Sequence, residues 1–255
     1  MADKIKNTAI IESCEALDKD IYSIWLQDSE VAALAVPGQF INLYCNDGTK
    51  VLPRPISICD VDKEKGALRI VFRVAGEGTK QFSNLKAGDS IEVLGPLGNG
   101  FTKEGSKAIL IGGGIGIPPM LLLAKELQCE KTIVLGYRDS LFMKDEFEKY
   151  GKVIVSTEDG SFGTKGNVID AIKENNVTGD IIFACGPKPM LKGVKNFAQE
   201  NNITAQISME ERMACGIGAC LACVCKSSEK DHHTNVNNKR ICKDGPVFYA
   251  QEVEL

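Results

Sequence analysis

The chain has 255 residues, enough for two domains or one large one, and its 44% of hydrophobic residues can bury a sizeable core. Its formal net charge of −4 argues against nucleic acid as a partner, and no apolar run approaches the ~20 residues of a membrane span. The start, Met1-Ala2-Asp3-Lys4-Ile5-Lys6, has no signal-peptide core, so a reduced cytoplasm is the expected setting for the ten cysteines.

Residues 1 to about 100 read as short strands. The segments 5–11, 21–26, 39–44, 56–60, 67–74 and 90–94 carry β-branched or alternating apolar residues. Pro37-Gly38, Asp47-Gly48, Lys65-Gly66 and Gly88-Asp89 punctuate them. Six strands at this spacing predict a small antiparallel barrel. Within it, Leu52-Pro53-Arg54-Pro55-Ile56-Ser57 is unusual. Arg54 offers a planar fork to a phosphate oxygen, and Pro53 and Pro55 hold it extended. A second phosphate-compatible turn follows at Val71-Phe72-Arg73-Val74-Ala75-Gly76-Glu77-Gly78-Thr79, with Thr79 expected to cap a short helix over 79–85.

After Gly105 the pattern changes. Strands expected at 108–111, 132–137, 153–156, 181–185 and 204–208 alternate with helices expected at 118–128, 143–150, 168–175 and 189–201. That alternation predicts a parallel α/β sheet. The first strand runs into Gly112-Gly113-Gly114-Ile115-Gly116-Ile117-Pro118-Pro119. Glycines there let backbone N–H groups approach a pyrophosphate, although the spacing departs from G-x-G-x-x-G at Ile117 and Pro119. A second strand-to-helix turn is Cys185-Gly186-Pro187, whose cysteine is expected beside a cofactor ring or, more blandly, as a small strand cap. Tyr137-Arg138-Asp139 and Glu158-Asp159-Gly160 end the intervening strands as candidates for ribose and adenine contacts.

The last segment carries Cys215-Gly216-Ile217-Gly218-Ala219-Cys220-Leu221-Ala222-Cys223-Val224-Cys225, with Cys242 further on. C-x₄-C-x₂-C with a distant fourth cysteine is the plant-type [2Fe–2S] spacing. Structural zinc is the rival, though zinc sites usually pair two short knuckles and Cys242 has no partner knuckle. Cys225 is an extra thiol that leaves the choice of ligands open. His232 and His233 fall in a polar loop and are expected at the surface.

In order and spacing, Arg54-Pro55-Ile56-Ser57, Gly78-Thr79, the glycine turn and Cys185-Gly186-Pro187 resemble the ferredoxin-reductase superfamily over about residues 1–208. Met213-Ala214-Cys215 through Cys223, and Leu94-Gly95-Pro96-Leu97-Gly98-Asn99-Gly100-Phe101, narrow the resemblance to the electron-transfer subunits of type B dihydroorotate dehydrogenases, over the whole length. The resemblance implies an α+β multidomain chain. An antiparallel flavin-binding barrel would occupy 1–102, a parallel α/β nicotinamide-binding domain 103–208, and a small iron–sulfur segment 209–255. It implies FAD held by Arg54, Pro55, Ile56, Ser57, Val71, Phe72, Arg73, Gly78 and Thr79. NAD(H) would meet Gly112, Gly113, Gly114, Gly116, Cys185, Gly186 and Pro187. Cys215, Cys220, Cys223 and Cys242 would hold a [2Fe–2S] cluster.

The resemblance further implies an FMN-containing catalytic subunit as partner, in a heterotetramer with two copies of each chain, serving pyrimidine synthesis. No acid–base site for a pyrimidine is visible in this sequence, so that chemistry is expected on the partner. The alternative is an electron-transfer subunit of a hydrogenase or a ferredoxin:NADP oxidoreductase complex, which would use the same parts.

Overall fold

The computed structural model describes residues 4–46, 48, 50–230 and 235–255. His232 and His233, and Asp47 of the expected Asp47-Gly48 turn, lie outside the described residues. Six strands close into a barrel: β1 (Ile5–Asp18), β2 (Ile21–Gln27), β3 (Phe40–Leu43), β4 (Arg54–Asp62), β5 (Ala67–Arg73) and β6 (Ser90–Leu97). They pair antiparallel in the order β1-β2-β5-β4-β3-β6, and β6 returns to β1. Ile24, Ile41, Ile58, Leu68, Ile70 and Val93 fill the interior. Closure removes the exposed edges that six short strands would otherwise present.

Two short helices flank the barrel. α1 (Ser29–Leu34) starts at Asp28, whose carboxylate accepts from the Val31 N–H at 3.1 Å. α2 (Glu77–Phe82) corrects one expectation, because its N-cap is Gly76 and not Thr79. The Thr79 hydroxyl instead reaches back and accepts from the N–H groups of Ala75 and Gly76, at 2.9 and 3.2 Å. A hydroxyl can therefore hold a helix start from inside the first turn as well as from the cap.

The second half is a seven-stranded sheet. β7 (Lys107–Gly113), β8 (Glu130–Tyr137), β9 (Lys152–Thr157), β10 (Thr164–Lys165), β11 (Ile181–Cys185) and β12 (Thr204–Ser208) run parallel. The helices between them are α3 (Met120–Glu126), α4 (Lys144–Phe147), α5 (Val168–Glu174) and α6 (Lys188–Glu200). The chain then forms a hairpin, β13 (Val224–Lys226) with β14 (Asn238–Arg240), and a short helix, α7 (Ile241–Asp244). Finally β15 (Val247–Tyr249) returns to the sheet edge antiparallel to β12, with Ser208 opposite Val247.

The order β10-β9-β8-β7-β11-β12-β15 reverses between β7 and β11. That reversal sets Gly112 beside Cys185, so the two sequence-predicted turns are neighbours. Ligands of open α/β sheets bind at such switch points. The expected helix over 118–128 starts only at Met120, because a 3₁₀ turn at Gly114–Gly116 takes up the glycine stretch and Pro119 stands as N-cap.

One apolar core joins all three parts. It runs from Phe40 and Leu97 of the barrel through Ile109, Ile111 and Ile207 of the sheet to Cys223, Ile241 and Cys242.

Candidate functional site

The first cavity, about 360 Å³, lies at the seam between barrel and sheet. Pro55, Ile56 and Ser57 on β4, Val71, Phe72 and Arg73 on β5, and Thr79 on α2 line its barrel side. Arg54 and Gly78 pack on one another rather than lining it. A Cβ at Gly78 would fall 2.5 Å from Arg54 Nε, so the glycine makes the berth for the guanidinium. The Arg54 guanidinium also donates to the Leu52 carbonyl, which fixes the fork. Apolar walls beside a fixed guanidinium fit a ring system carrying phosphates.

Sequence reasoning missed the opposite wall. It consists of Ile115 from the glycine turn and Ser208, Met209, Glu210, Glu211 and Met213 from the chain leaving β12. Glu210 is open to the cavity but crowded by protein on its other sides, and this desolvation raises its carboxyl pKa. Glu211 pairs with Lys188 at the start of α6, tying this wall to the Cys185-Gly186-Pro187 turn. The available signal was Glu210-Glu211-Arg212 directly before the cysteine motif, where a charged run reads as solvated surface.

The second cavity, about 730 Å³, lies over the carboxyl ends of the parallel strands. Gly113, Gly114 and Pro187 line it, as do Tyr137, Arg138, Asp139 and Glu158. Gly114 has φ +53°, which favours glycine. Gly112, Gly116, Cys185 and Gly186 belong to the same two turns but do not line it. A Cβ at Gly116 would stand 2.4 Å from the Cys185 carbonyl oxygen, so the two turns are in backbone contact.

Cys185 is fully buried and lines neither cavity. Burial first, and Glu210 beside it second, push its thiol far up, against a smaller opposing hydrogen bond with Ser208. The Arg138 side chain is 82% exposed and stands 4.0 Å from Glu158, a long, exposed pairing of the kind that is worth little. The barrel adds Asp18, Lys19, Asp20 and Arg73 to this cavity, and only the last was expected at a site. Arg73 lines both cavities, and its Nε lies 3.2 Å from Asp20.

The cysteines associate as two pairs. Cys220 lies near enough to Cys215, and Cys223 to Cys242, for each to act on its neighbour's thiol. Cys220 is exposed, whereas Cys223 and Cys242 are buried. Backbone N–H groups of Ile217 and Ala219 point at Cys215 Sγ, each at 3.4 Å, and the Cys242 N–H points at Cys223 Sγ at 3.4 Å. Desolvation works to raise Cys215, but these backbone donors outweigh it and bring the thiol down to about 6. Desolvation and the neighbouring Cys223 push Cys242 up to about 12.

Among the described residues, no three His, Cys, Asp or Glu side chains are grouped to hold a single metal ion. Two pairs of cysteine sulfurs, with backbone donors at Cys215 and Cys223, fit a two-iron cluster, in which each iron would take two protein ligands. Cys225 sits apart, buried in β13, where it pairs with Lys239 of β14.

Two family models match. Residues 10–101 match an oxidoreductase FAD-binding domain, and residues 210–254 match the iron–sulfur cluster binding domain of dihydroorotate dehydrogenase B. The chain is 45% identical over 267 aligned positions to a dihydroorotate dehydrogenase B (NAD(+)) electron transfer subunit from Fusobacterium nucleatum, covering 99% of each. It is 47% identical to the protein of the same name from Caldanaerobacter subterraneus, covering 85% of this chain and 86% of that one. Among solved structures, an NADH-dependent reduced ferredoxin-NADP oxidoreductase is similar at TM-score 0.86 and 33% identity, over 96% of this chain and 89% of that one. The ferredoxin reductase of carbazole 1,9a-dioxygenase shares the fold at TM-score 0.64 and 20% identity, over 78% of this chain and 67% of that one.

Proposed function

The chain belongs to the dihydroorotate dehydrogenase B (NAD(+)) electron-transfer subunits, and from that premise we propose what it connects. It passes electrons between NAD(H) and a separate FMN-containing catalytic subunit, through FAD and a [2Fe–2S] cluster, as dihydroorotate is oxidised to orotate in pyrimidine (UMP) synthesis. The observation that carries this reading is the continuity of the three sites. The two cavities share Arg73, and the wall of the smaller one reaches Met213, two residues before Cys215. FAD, when bound, supplies the conversion between a two-electron hydride and single electrons.

The protein's part is to bind, orient and exclude water. Gly113 and Gly114 bring backbone N–H groups to a pyrophosphate, and Asp139 and Glu158 offer carboxylates to ribose hydroxyls. The Arg54 guanidinium, seated on Gly78, holds a flavin phosphate, while Ile56, Phe72, Ile115 and Met213 wall the ring. Cys215, Cys220, Cys223 and Cys242 would hold the cluster, which would supply a one-electron acceptor. The working units are a flavin domain over 1–102, a nicotinamide domain over 103–208 and a cluster segment over 209–255.

The partner docks where Cys220 is exposed between Ile217 and Leu221, which are 40% and 62% exposed. Exposed apolar residues around a redox centre support a contact there. The assembly is two copies of each chain, in the cytoplasm, where thiol ligands stay reduced. Among the described residues, no helix is long and apolar enough to cross a membrane.

A second reading has its own support. The 33% identity and TM-score of 0.86 to the reduced ferredoxin-NADP oxidoreductase fit a subunit serving another acceptor. The 41–47% identities to the dihydroorotate family favour the first.

The deciding experiment uses the purified chain with its cofactors. It should oxidise NADH with an artificial acceptor and reduce no orotate. Adding the FMN-containing subunit should confer NADH-dependent orotate reduction. Orotate reduction by the single chain, or no coupling in the reconstituted pair, would defeat the proposal.

A further inference from the structure

Asn42 stands in the middle of β3, in the run Phe40-Ile41-Asn42-Leu43, and is fully buried. A buried carboxamide is costly unless its polar atoms are bonded. Its Nδ2 donates to the Cys215 carbonyl at 3.1 Å, while among the described residues its Oδ1 has no partner. An apolar side chain would remove that orphaned acceptor. It would also remove this bond between the barrel and the backbone of a cluster cysteine.

The next residue is shaped to the same contact. Gly216 has φ +68°, and a Cβ there would lie 2.4 Å from Asn42 Nδ2. The carboxamide therefore lies against the backbone at the residue that opens the turn. Beyond it come the Ile217 and Ala219 N–H groups that point at Cys215 Sγ. On the flavin side, Phe40 lines the smaller cavity two residues before Asn42 on the same strand. Residues two apart on a strand share a face.

We propose that Asn42 is a positioning residue for the iron–sulfur cluster. By holding the Cys215 carbonyl it keeps the two N–H donors aimed at the Cys215 sulfur, so that a strand of the flavin barrel sets the cluster's reduction potential. This rests on the cluster reading above. Hydrogen bonds to ligand sulfur tune such potentials, and outer partners of ligands typically change metal-site properties by roughly 10–100-fold. N–H dipoles favour the more negative, reduced cluster. Loss of their aim shifts the one-electron equilibrium toward the oxidised form.

The test uses the full chain loaded with FAD, iron and sulfide, as the parent and as Asn42→Leu and Asn42→Asp. Leucine keeps the approximate bulk without the donor. Aspartate keeps the shape and, when ionised, turns a donor into an acceptor facing a carbonyl. FAD content and flavin bleaching by NADH should match the parent. The cluster's electron paramagnetic resonance spectrum should change, and its equilibrium should move about tenfold toward oxidised, about 59 mV for a one-electron couple. An unchanged spectrum and potential in either variant that retains FAD would overturn the proposal. Loss of FAD from both would also overturn it, because Asn42 would then be a barrel-packing residue. Absence of iron and sulfide from the parent chain would instead sink the cluster reading itself.

Discussion

At the scale of single residues, the motif arginine and the cysteines make separate demands. Arg54 is held by two things the sequence displays, the flanking prolines and a glycine two dozen residues later. If Arg54 holds a flavin phosphate as proposed, Arg54→Ala removes a charge-assisted hydrogen bond worth roughly 1.5–3 kcal/mol, about a ten- to hundredfold loss in FAD affinity. Flavin retained on dialysis should fall by that factor while NADH affinity stays near its parent value. Cys223→Ser should abolish cluster absorbance and leave FAD in place. Cys225→Ser should keep the cluster, at a stability cost of roughly 1–3 kcal/mol for a hydroxyl buried in the core. Loss of the cluster in both would reassign the ligands. The spacing offers four cysteines as ligands and leaves the choice open at Cys225, which the structure sets in a hairpin strand opposite Lys239.

At the scale of elements, strongly patterned segments were legible and short ones were not. The barrel strands and the buried run of β7 follow from period-two and continuous apolar patterns. α1, six residues long, carries too little periodicity to read, although Asp28 marks its start. β15 is three residues near the chain end, and its place in the sheet depends on a register with β12 that no local pattern encodes. The far wall of the smaller cavity was hidden for another reason, because the charged run Glu210-Glu211-Arg212 reads as solvated surface.

A further link between elements is Asp180, at the foot of β11. It accepts from Ser106 Oγ, from the Ser106 N–H at 2.8 Å and from the Lys107 N–H at 3.0 Å, pinning the start of β7. The Ser106 hydroxyl and then these backbone donors lower its pKa. Its folded pKa is below its unfolded one, so its contribution to stability is complete above the ordinary aspartate value of about 3.9. That contribution is lost as pH falls through the folded value. Asp180→Ala should lower the melting temperature at neutral pH and shrink the difference from the parent as the solution is acidified. An equal difference at every pH would refute this role.

At the scale of the whole molecule, three segments recognisable one by one are joined by a shared apolar cluster, while the barrel keeps an interior of its own. Trp25, the chain's one tryptophan, lies in barrel strand β2, so its fluorescence reports the barrel. Thermal unfolding followed by that fluorescence and by cluster absorbance should give one coincident transition. Two separated transitions would mean that the segments melt as independent domains. The sequence showed the order of the parts. Their fusion depends on apolar residues of each that look, in isolation, like the interior of that part alone.

The return of β15 to the sheet has a mechanical consequence. The chain leaves the sheet at Ser208 and rejoins it opposite the same residue, at Val247. The segment that carries the last five cysteines hangs between two ends paired at one point on the sheet edge. Such a segment is a fixed post and not a swinging arm. It cannot shuttle to its acceptor, so the acceptor must come to it, and reach is decided by how the two proteins dock.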